Sequence, residues 1–546
     1  MDRISAMPKA ILHDILARLP HKEAAKTIAL SKTWRDTWYS FPNLFVHWAY
    51  FFTKDDVPLG KSHRLGKSRR LGKSHMFSGL DNLIDYVTKR LLGLCDQGLA
   101  LEEFNLNLGD LVDPALVSFH LDQWIRMAGE IGVKVLGLNL SSDYGRWDLP
   151  LCAIEAKSLT KLHLGNGIRI GQEFLKHFMK LSSVKMLSLT HVLFAHERII
   201  EPFISHCSLT EHLTMYHCYI YNHLSREVPL ESLFLHGLQK LKEVDLTGIQ
   251  EVHIDSPNLE NLCYTTLNCN APFKLNFDSC TALRSLILIH LQNIANVDKW
   301  FLELFSKHPF LESLEILGCS MPERIDISSA QLKVLKLTFC SNLKEVNIDA
   351  PNLLSFYYHG ADKPVISFMR SSDLLKVRVV TDVDFEHFYS LRESIWNIPQ
   401  KILASLSLFI KRSFLEYGYA YLPELQVSSI PPSIKHLVVR VPDPDHQALY
   451  GRLMNYLFSS CFPKRISFTC GDHYNDTFIE FFYDMLMGSK KEECHCSSSD
   501  TKCWWHALKI VEISSSFMTN QNMDVKDMRD VWQLFCDEKA TFRLEL

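Results

Sequence analysis

The sequence has no apolar run approaching the roughly 18 residues that a membrane-spanning helix needs; pieces such as Leu403 to Ile410 are far shorter. It also has no excess of either charge, because 58 Lys and Arg stand against 62 Asp and Glu. The first twenty residues include five charged side chains and therefore lack the apolar segment of a secretory signal peptide. These absences argue against a membrane protein, a globally basic nucleic-acid binder and a secreted protein. They predict a protein of the nucleus, the cytoplasm or both.

Catalytic signatures are also missing. The sequence contains no GxSxG, HExxH, dinucleotide-binding GxGxxG or kinase motif set. The 15 cysteines are odd in number and scattered, so reduced thiols are expected rather than disulfides. We therefore expect a non-enzymatic protein with no catalytic residue, no cofactor, no specific nucleic-acid partner and no membrane partner.

The first 44 residues favour three short helices. Apolar residues recur at helical spacing over 4–19, a second helix is expected at about 22–28, and a third is expected after Ser31, with Trp34 and Trp38 one turn apart. So short a segment cannot bury all of these side chains within itself. Part of the apolar surface should therefore contact a partner protein or the rest of the chain.

The segment DRISAMPKAILHDILARLPHKEAAKTIALSKTWRDTWYSFPNL resembles the F-box of plant F-box proteins. One departure is Lys9, where an acidic residue is usual. The resemblance implies docking on a Skp-type adaptor and, through it, on a cullin-RING ubiquitin ligase. It also implies that the adaptor-facing residues are among Pro8, Ile11, Leu12, Ile15, Leu16, Leu19, Leu30, Trp34 and Trp38. Each of these could instead fill the small core of the F-box.

Residues 59–76 repeat a basic hexapeptide as LGKSHR, LGKSRR and LGKSHM. Its content of Gly and Ser is typical of a flexible linker. The six cations could form a nuclear-import signal, or the repeat could be a tolerated duplication. The GKS triplets do not form a nucleotide-binding P-loop, because five residues rather than four separate the glycines.

An LxxLxL-like pattern then recurs along the chain. Ten copies begin between Leu159 and Leu374 at a mean spacing of about 24 residues, within the range of leucine-rich repeats. ALEEFNLNL from Ala100 and VKVLGLNL from Val133 look like opening repeats, with a helix near 116–131 between them. IQEVHIDSPNLENL resembles LKEVNIDAPNLLSF 94 residues later, which suggests a second short strand in each repeat. Cys218, Cys319 and Cys340 follow the pattern at positions that turn inward, so they should be core thiols.

In such a repeat the leucines point into a stacked core and the residues between them face the concave surface. The mixture of polar and exposed apolar residues there fits a surface that binds a target protein. Candidate target-binding residues are Lys161, His163, Met186, Phe234, Ile287, Glu315, Val334, Lys336 and Tyr357.

Weaker strands are expected further on, at IKHLVVRV, PKRISFTC, LKIVEISS and the terminal TFRLEL. The cluster Cys494, His495, Cys496, Cys503 and His506 has thiols and imidazoles that could hold zinc, but it lacks paired CxxC knuckles. KCWWHALKIVEI also resembles a C-terminal segment of plant F-box/leucine-rich-repeat proteins. We assign no metal ligand there.

The predicted fold is α/β, with an N-terminal three-helix F-box followed by a leucine-rich-repeat solenoid, a curved parallel sheet whose C-terminal repeats are irregular. The predicted segments are an F-box at 1–48, a basic linker at 49–79, repeats at 80–440 and irregular repeats with a cap at 441–546. The resemblance implies the substrate receptor of an SCF-type ubiquitin ligase. Two alternatives stay open: a non-ligase scaffold, and a ligand-sensing receptor with a closed pocket on the concave face.

Overall fold

A computed structural model describes residues 4–51, 73–109, 113–140, 145–176, 183–205, 207–221, 226–266, 274–291, 297–362, 364–383, 403–410, 433–441, 461–470, 510–515 and 540–545. The chain divides into two compact units, Met1–Leu283 and Arg284–Leu546. Each unit is described by itself below.

The first unit opens with the three predicted helices, α1 (Lys9–Arg18), α2 (His21–Lys26) and α3 (Lys32–Tyr39). Ser31 caps α3, since its hydroxyl accepts a hydrogen bond from the main-chain nitrogen of Trp34 over 3.2 Å. The helices close over a common apolar core built from Leu12, Leu16, Ala24, Trp34, Trp38 and Phe41. The prediction of a three-helix module is confirmed.

The main sheet of the first unit is parallel, and its strands follow one another in the order of their numbers. These are β1 (Asn43–His47), β2 (Glu103–Asn107), β3 (Val135–Asn139), β5 (Lys161–Leu164), β7 (Met186–Thr190), β9 (His212–Tyr216), β13 (Glu243–Thr247) and β15 (Asn261–Thr265). Leucines of each strand point inward, and burying each one stabilises the fold by roughly 1.5–3 kcal/mol. The first strand, β1, lies within the segment that the sequence assigned to the F-box.

Shorter elements form the second layer of this unit. One sheet contains β4 (Trp147–Asp148), β6 (Ile168–Ile170), β8 (Leu193–Phe194), β10 (Tyr219–Tyr221) and the antiparallel β11 (Glu227–Pro229). Another contains β12 (Ser232–Leu235), β14 (Glu251–Ile254) and β16 (Lys274–Asn276). The helices are α4 (Lys73–Asp96), α5 (Pro114–Glu130), α6 (Cys152–Glu155), α7 (Glu173–Lys176) and α8 (Ile200–Ser205).

The second unit has the same two-layer plan. Its main sheet contains β17 (Ser285–Ile289), β18 (Ser313–Leu317), β20 (Val334–Thr338), β22 (Ser355–Gly360), β24 (Lys376–Val383), β25 (Leu403–Ile410), β27 (Leu437–Val441) and β29 (Arg465–Cys470), all parallel. The terminal β31 (Ala540–Glu545) pairs antiparallel with β29 and with β30 (Ile510–Ser515). The second layer holds β19 (Arg324–Ser328), β21 (Glu345–Ala350), β23 (Val365–Ser371), β26 (Ser433–Ile434), β28 (Phe462–Pro463) and α9 (Val297–Lys307).

The repeat pattern located most of these strands. Nine of the ten predicted copies form main-sheet strands, the two opening repeats form β2 and β3, and the helix between them is α5. The duplicated pieces form β14 and β21, which confirms the second short strand. The four weaker strands after Ile434 are β27, β29, β30 and β31.

Two predictions are wrong. The copy at Leu230 forms β12, which pairs in the second layer, and the main-sheet strand of that repeat is β13. The sequence predicts a flexible linker as far as residue 79, but α4 begins at Lys73. The remaining basic hexapeptide residues, including Lys67, Arg69 and Arg70, lie outside the described residues.

A left-handed residue follows several main-sheet strands. His191, His217, His290 and Phe339 have φ between 49 and 59°, and Gly318 has φ of 64°. Such a conformation is uncommon for a residue other than glycine, and here it turns the following residue inward. In three repeats that residue is a predicted core cysteine, and all three predictions are confirmed: Cys218, Cys319 and Cys340 are at most 2% exposed.

Candidate functional site

The F-box exposes several large apolar side chains. Five large apolar side chains are between 36 and 67% exposed: Ile4, Met7, Ile11, Leu19 and Leu30. A hydrogen bond of 3.0 Å between the hydroxyls of Ser5 and Ser31 holds the chain start beside the entry to α3. We call the five residues, with the exposed Pro8, the F-box patch.

The predicted adaptor-facing residues divide into two groups. Pro8, Ile11, Leu19 and Leu30 are exposed, and Ile15 is half-buried against the core. The other four, Leu12, Leu16, Trp34 and Trp38, are at most 4% exposed and form the F-box core. A direct contact between these four and an adaptor is therefore contradicted by the structure, because helix packing already buries them. Sequence reasoning missed Ile4 and Met7, although both belong to the DRISAMP start.

The outward face of the first unit's main sheet is mostly polar. Lys161, His163 and Met186 lie on it as predicted, and the parallel register places Lys161 beside Met186. Burial lowers the pKa of His163 below its usual range, and the nearby Lys161 lowers it further. His163 is therefore a neutral hydrogen-bonding group near pH 7 rather than a cation. Two strands along the sheet from β5, the Nδ1 of His212 on β9 lies 2.8 Å from a carboxylate oxygen of Glu243 on β13.

The main sheet of the second unit brings the remaining predicted residues into rows. The register aligns Ile287, Glu315, Lys336 and Tyr357 on four successive strands, and Val334 begins the third of them. Lys336 donates to Glu315 over 2.6 Å, so this cation already has an acidic partner. Beyond Tyr357 the row continues to Arg378, which is not among the predicted target-binding residues.

Phe234 is misplaced in the prediction. It lies on β12 in the second layer, where its ring stacks on His253 with centroids 4.8 Å apart and planes 7° apart. It is 40% exposed, but it does not share a face with the other predicted target-binding residues of the first unit.

An open hollow of about 470 Å³ lies on the outward face of the second unit's main sheet. Aromatic, hydroxyl, aliphatic and guanidinium groups line it: Tyr357, His359, Val380, Ser407, Leu408, Phe409, Val438 and Arg440. Only Tyr357 had been predicted. The signal for the others was present, because LASLSL at Leu403 fits the repeat pattern and Arg440 lies on a predicted strand.

No group of three or more His, Cys, Asp or Glu side chains is placed to hold a metal ion within the described ranges. The cluster from Cys494 to His506 falls outside them. Among the helices that the structure describes, none is long and apolar enough to cross a membrane.

Comparisons with known proteins agree with this architecture. The family model for the F-box domain matches residues 4–45. The model described as At1g61320/AtMIF1, LRR domain, matches residues 96–280 and 267–439, more than half of the chain. Neither model describes an enzyme.

The similar proteins include three from Arabidopsis thaliana. F-box/LRR-repeat protein 13 is 25% identical over 74% of this chain and 82% of its own length. The FBD-associated F-box protein At4g13985 is 25% identical over 48% of this chain, which spans about half (51%) of that relative. F-box/LRR-repeat protein At4g14103 is 30% identical over 51% of this chain and 65% of its own length. The F-box helices, the two-layer parallel repeats and both family matches agree, and the chain belongs to the plant F-box/leucine-rich-repeat family with an LRR domain of the At1g61320/AtMIF1 type.

Proposed function

We propose that this protein is the substrate-recognition subunit of an SCF-type ubiquitin ligase. The F-box would bind a Skp-type adaptor, which joins a cullin-RING ligase, and the outward face of the main sheets would bind the target protein. The chain would act by bringing the target close to the ubiquitin-conjugating enzyme, a contribution of proximity rather than of catalytic residues.

The F-box patch is the observation that carries this proposal. Its five large apolar side chains are exposed although the F-box beneath them has a complete core. Exposed apolar side chains concentrated on one small module are typical of protein interaction sites. Burying these side chains against an adaptor would stabilise the complex by about 25 cal/mol for each Å² of apolar area removed from water.

The test is co-purification of the full chain with a plant Skp-type adaptor. Ile11→Asp and Leu30→Asp should abolish the complex, since an unpaired carboxylate in an apolar interface costs more than the roughly 2–7 kcal/mol of an unpaired neutral polar group. Phe119→Asp is the matched control, because Phe119 is 75% exposed but lies on α5, outside the F-box. It should leave the complex intact.

A folded wild-type chain that forms no complex would contradict the proposal and favour a scaffold that works outside a ligase. So would an Ile11→Asp, Leu30→Asp variant that binds the adaptor as well as wild type does.

We also propose that the protein works in the nucleus, the cytoplasm or both. Replacing Lys67, Arg69 and Arg70 with Ala tests whether the hexapeptides direct import. Unchanged nuclear content of a fluorescent fusion would contradict an import role for them.

A further inference from the structure

The hollow on the second unit's main sheet combines an aromatic wall with cations. The rings of His359 and Phe409 stack with centroids 5.8 Å apart, and the Phe339 ring lies 4.2 Å from that of His359. The guanidinium of Arg440 lies over the Phe409 ring, 5.6 Å from its centroid. This cation–π contact orients Arg440 beside the hollow while its nitrogens keep their hydrogen-bonding capacity.

Arg378 lies beside the same hollow. The parallel register pairs Arg378 with Tyr357 on one side and Ser405 on the other, one row from the positions of His359 and Val380. The side chain of Tyr357 is half-buried, and burial raises the pKa of its phenol. At neutral pH the phenol is therefore an uncharged donor next to a guanidinium.

Arg378 and Arg440 differ from several other arginines of this unit, which form ion pairs with carboxylates. Arg284, Arg324 and Arg370 each form an ion pair with Glu312, Asp326 or Asp349. Among the side chains that the structure describes, no carboxylate lies within 4.0 Å of Arg378 or Arg440, and both residues are exposed.

One acidic residue lies near in register. Asp382 is the backbone partner of Phe409, which in turn pairs with Arg440. With Arg378, Arg440 and the exposed Lys376 in the same strands, this part of the sheet still carries more positive than negative charge.

The shape of the hollow favours part of a polypeptide over a free small molecule. Small-molecule sites bury roughly 70–90% of their ligand in a cleft. This hollow is open and lies in the middle of a broad sheet face, so a segment that crosses several strands could insert one side chain and contact the neighbouring rows with the rest.

From these observations we propose that the hollow binds an acidic segment of the target protein, which inserts an apolar side chain against Phe409 and Tyr357 and directs carboxylates at Arg378 and Arg440. This inference rests on the proposed function, whose target it describes by its chemistry. Arginine suits this role because its planar guanidinium can bind a carboxylate through two parallel hydrogen bonds.

The test uses the purified full chain and a fluorescein-labelled peptide of alternating Glu and Leu, with a twin in which every Glu is Gln. Fluorescence anisotropy should show the Glu peptide binding about tenfold or more tightly than its twin, and binding should weaken as salt rises. Arg378→Gln and Arg440→Gln should each weaken the Glu peptide by about tenfold.

Arg324→Gln is the matched control. It removes the same charge from β19 in the second layer, where the side chain is 58% exposed, and should leave peptide affinity unchanged. Equal binding of the two peptides, or equal losses in all three variants, would overturn the proposal. Arginine-dependent binding of benzoate without binding of the Glu peptide would also overturn it and would indicate a small-molecule ligand instead.

Adaptor co-purification of the same variants separates the two proposals. If wild type and the arginine variants all bind the adaptor but the Glu peptide does not bind, only the inference about the target fails. If the Glu peptide binds in an arginine-dependent way but no adaptor complex forms, the ligase role fails and the acidic-segment site stands.

Discussion

The guanidinium of Arg90 donates a hydrogen bond to the main-chain carbonyl oxygen of Tyr39 over 2.6 Å. A second nitrogen of the same group donates to the carbonyl of Phe41 over 3.2 Å, and the group lies 5.6 Å from the centroid of the Trp38 ring. Arg90 belongs to α4 and is 2% exposed. It therefore binds the carbonyl of Tyr39, the last residue of α3, which has no partner within that helix, and the carbonyl of Phe41 just beyond it. The end of the F-box helices is thus fixed to α4 by a buried cation.

Arg90→Met should destabilise the first unit by roughly 3 kcal/mol, because two hydrogen bonds from a charged donor are lost at roughly 1.5–3 kcal/mol each. Urea unfolding of the full chain measures this. Lys89→Met is the neighbouring control, since Lys89 is 72% exposed and only pairs with Asp85, and it should change stability by less than about 0.5 kcal/mol. Equal losses in the two variants would contradict the anchoring role.

Core and surface residues of α1 should separate stability from binding. Leu16→Ala should cost about 2–5 kcal/mol of unfolding free energy, because it opens a cavity among the F-box helices. Ile11→Ala, in the same helix but 47% exposed, should leave stability nearly unchanged and weaken the adaptor complex. Urea unfolding and adaptor titration of both variants decide this. A large loss of stability in Ile11→Ala would show that the F-box patch is part of the fold.

The inward cysteines give a pH prediction. Burial raises the pKa of Cys218 and Cys340 to about 12 and that of Cys319 to about 11, from an ordinary value of 9.0. Above pH 9 the unfolded chain releases these protons while the folded chain retains them, so the unfolding free energy should fall as pH rises. Urea unfolding between pH 8 and about 10.5 measures the slope. The triple variant with Val at these positions should show a shallower slope, and an unchanged slope would contradict the assignment.

Two left-handed glycines make a matched pair. Gly318 has φ of 64°, and a Cβ there would lie 2.5 Å from the Nδ1 of His290; Gly237 has φ of 75° and open space around it. Gly237→Ala should cost about 1 kcal/mol from backbone strain alone. Gly318→Ala should cost more, because the His290 ring must also move. Thermal unfolding compares the two, and an equal cost would mean that the ring moves freely.

The repeat pattern predicts where strands lie but not always in which layer. LESLFL at Leu230 and LKEVDL at Leu241 alternate in the same way, because strands of both layers bury one face. The residues just after the strands do not separate the layers either: β12 is followed by Gly237, at φ of 75°, and the buried Leu238, and β13 by Gly248, at φ of 89°, and the buried Ile249. The layer is decided by strand pairing, since β12 pairs with β14 while β13 pairs with β9 and β15, and no single repeat contains that information.

The F-box patch was predictable only in part. Periodicity shows that α1 has an apolar side, but packing against α3 decides which of its residues stay exposed. Leu12 and Ile11 are adjacent in sequence, yet one is 1% and the other 47% exposed. The hollow likewise needs the register of four strands, β22, β24, β25 and β27, which no single repeat contains.

Hydrogen–deuterium exchange of the full chain with and without a Skp-type adaptor tests the central claim most directly. We predict that the adaptor slows exchange at residues 4–19 and 27–31, where the F-box patch lies, and leaves the main-sheet strands unchanged. Protection confined to the repeats, or no protection anywhere in a folded chain, would contradict the account.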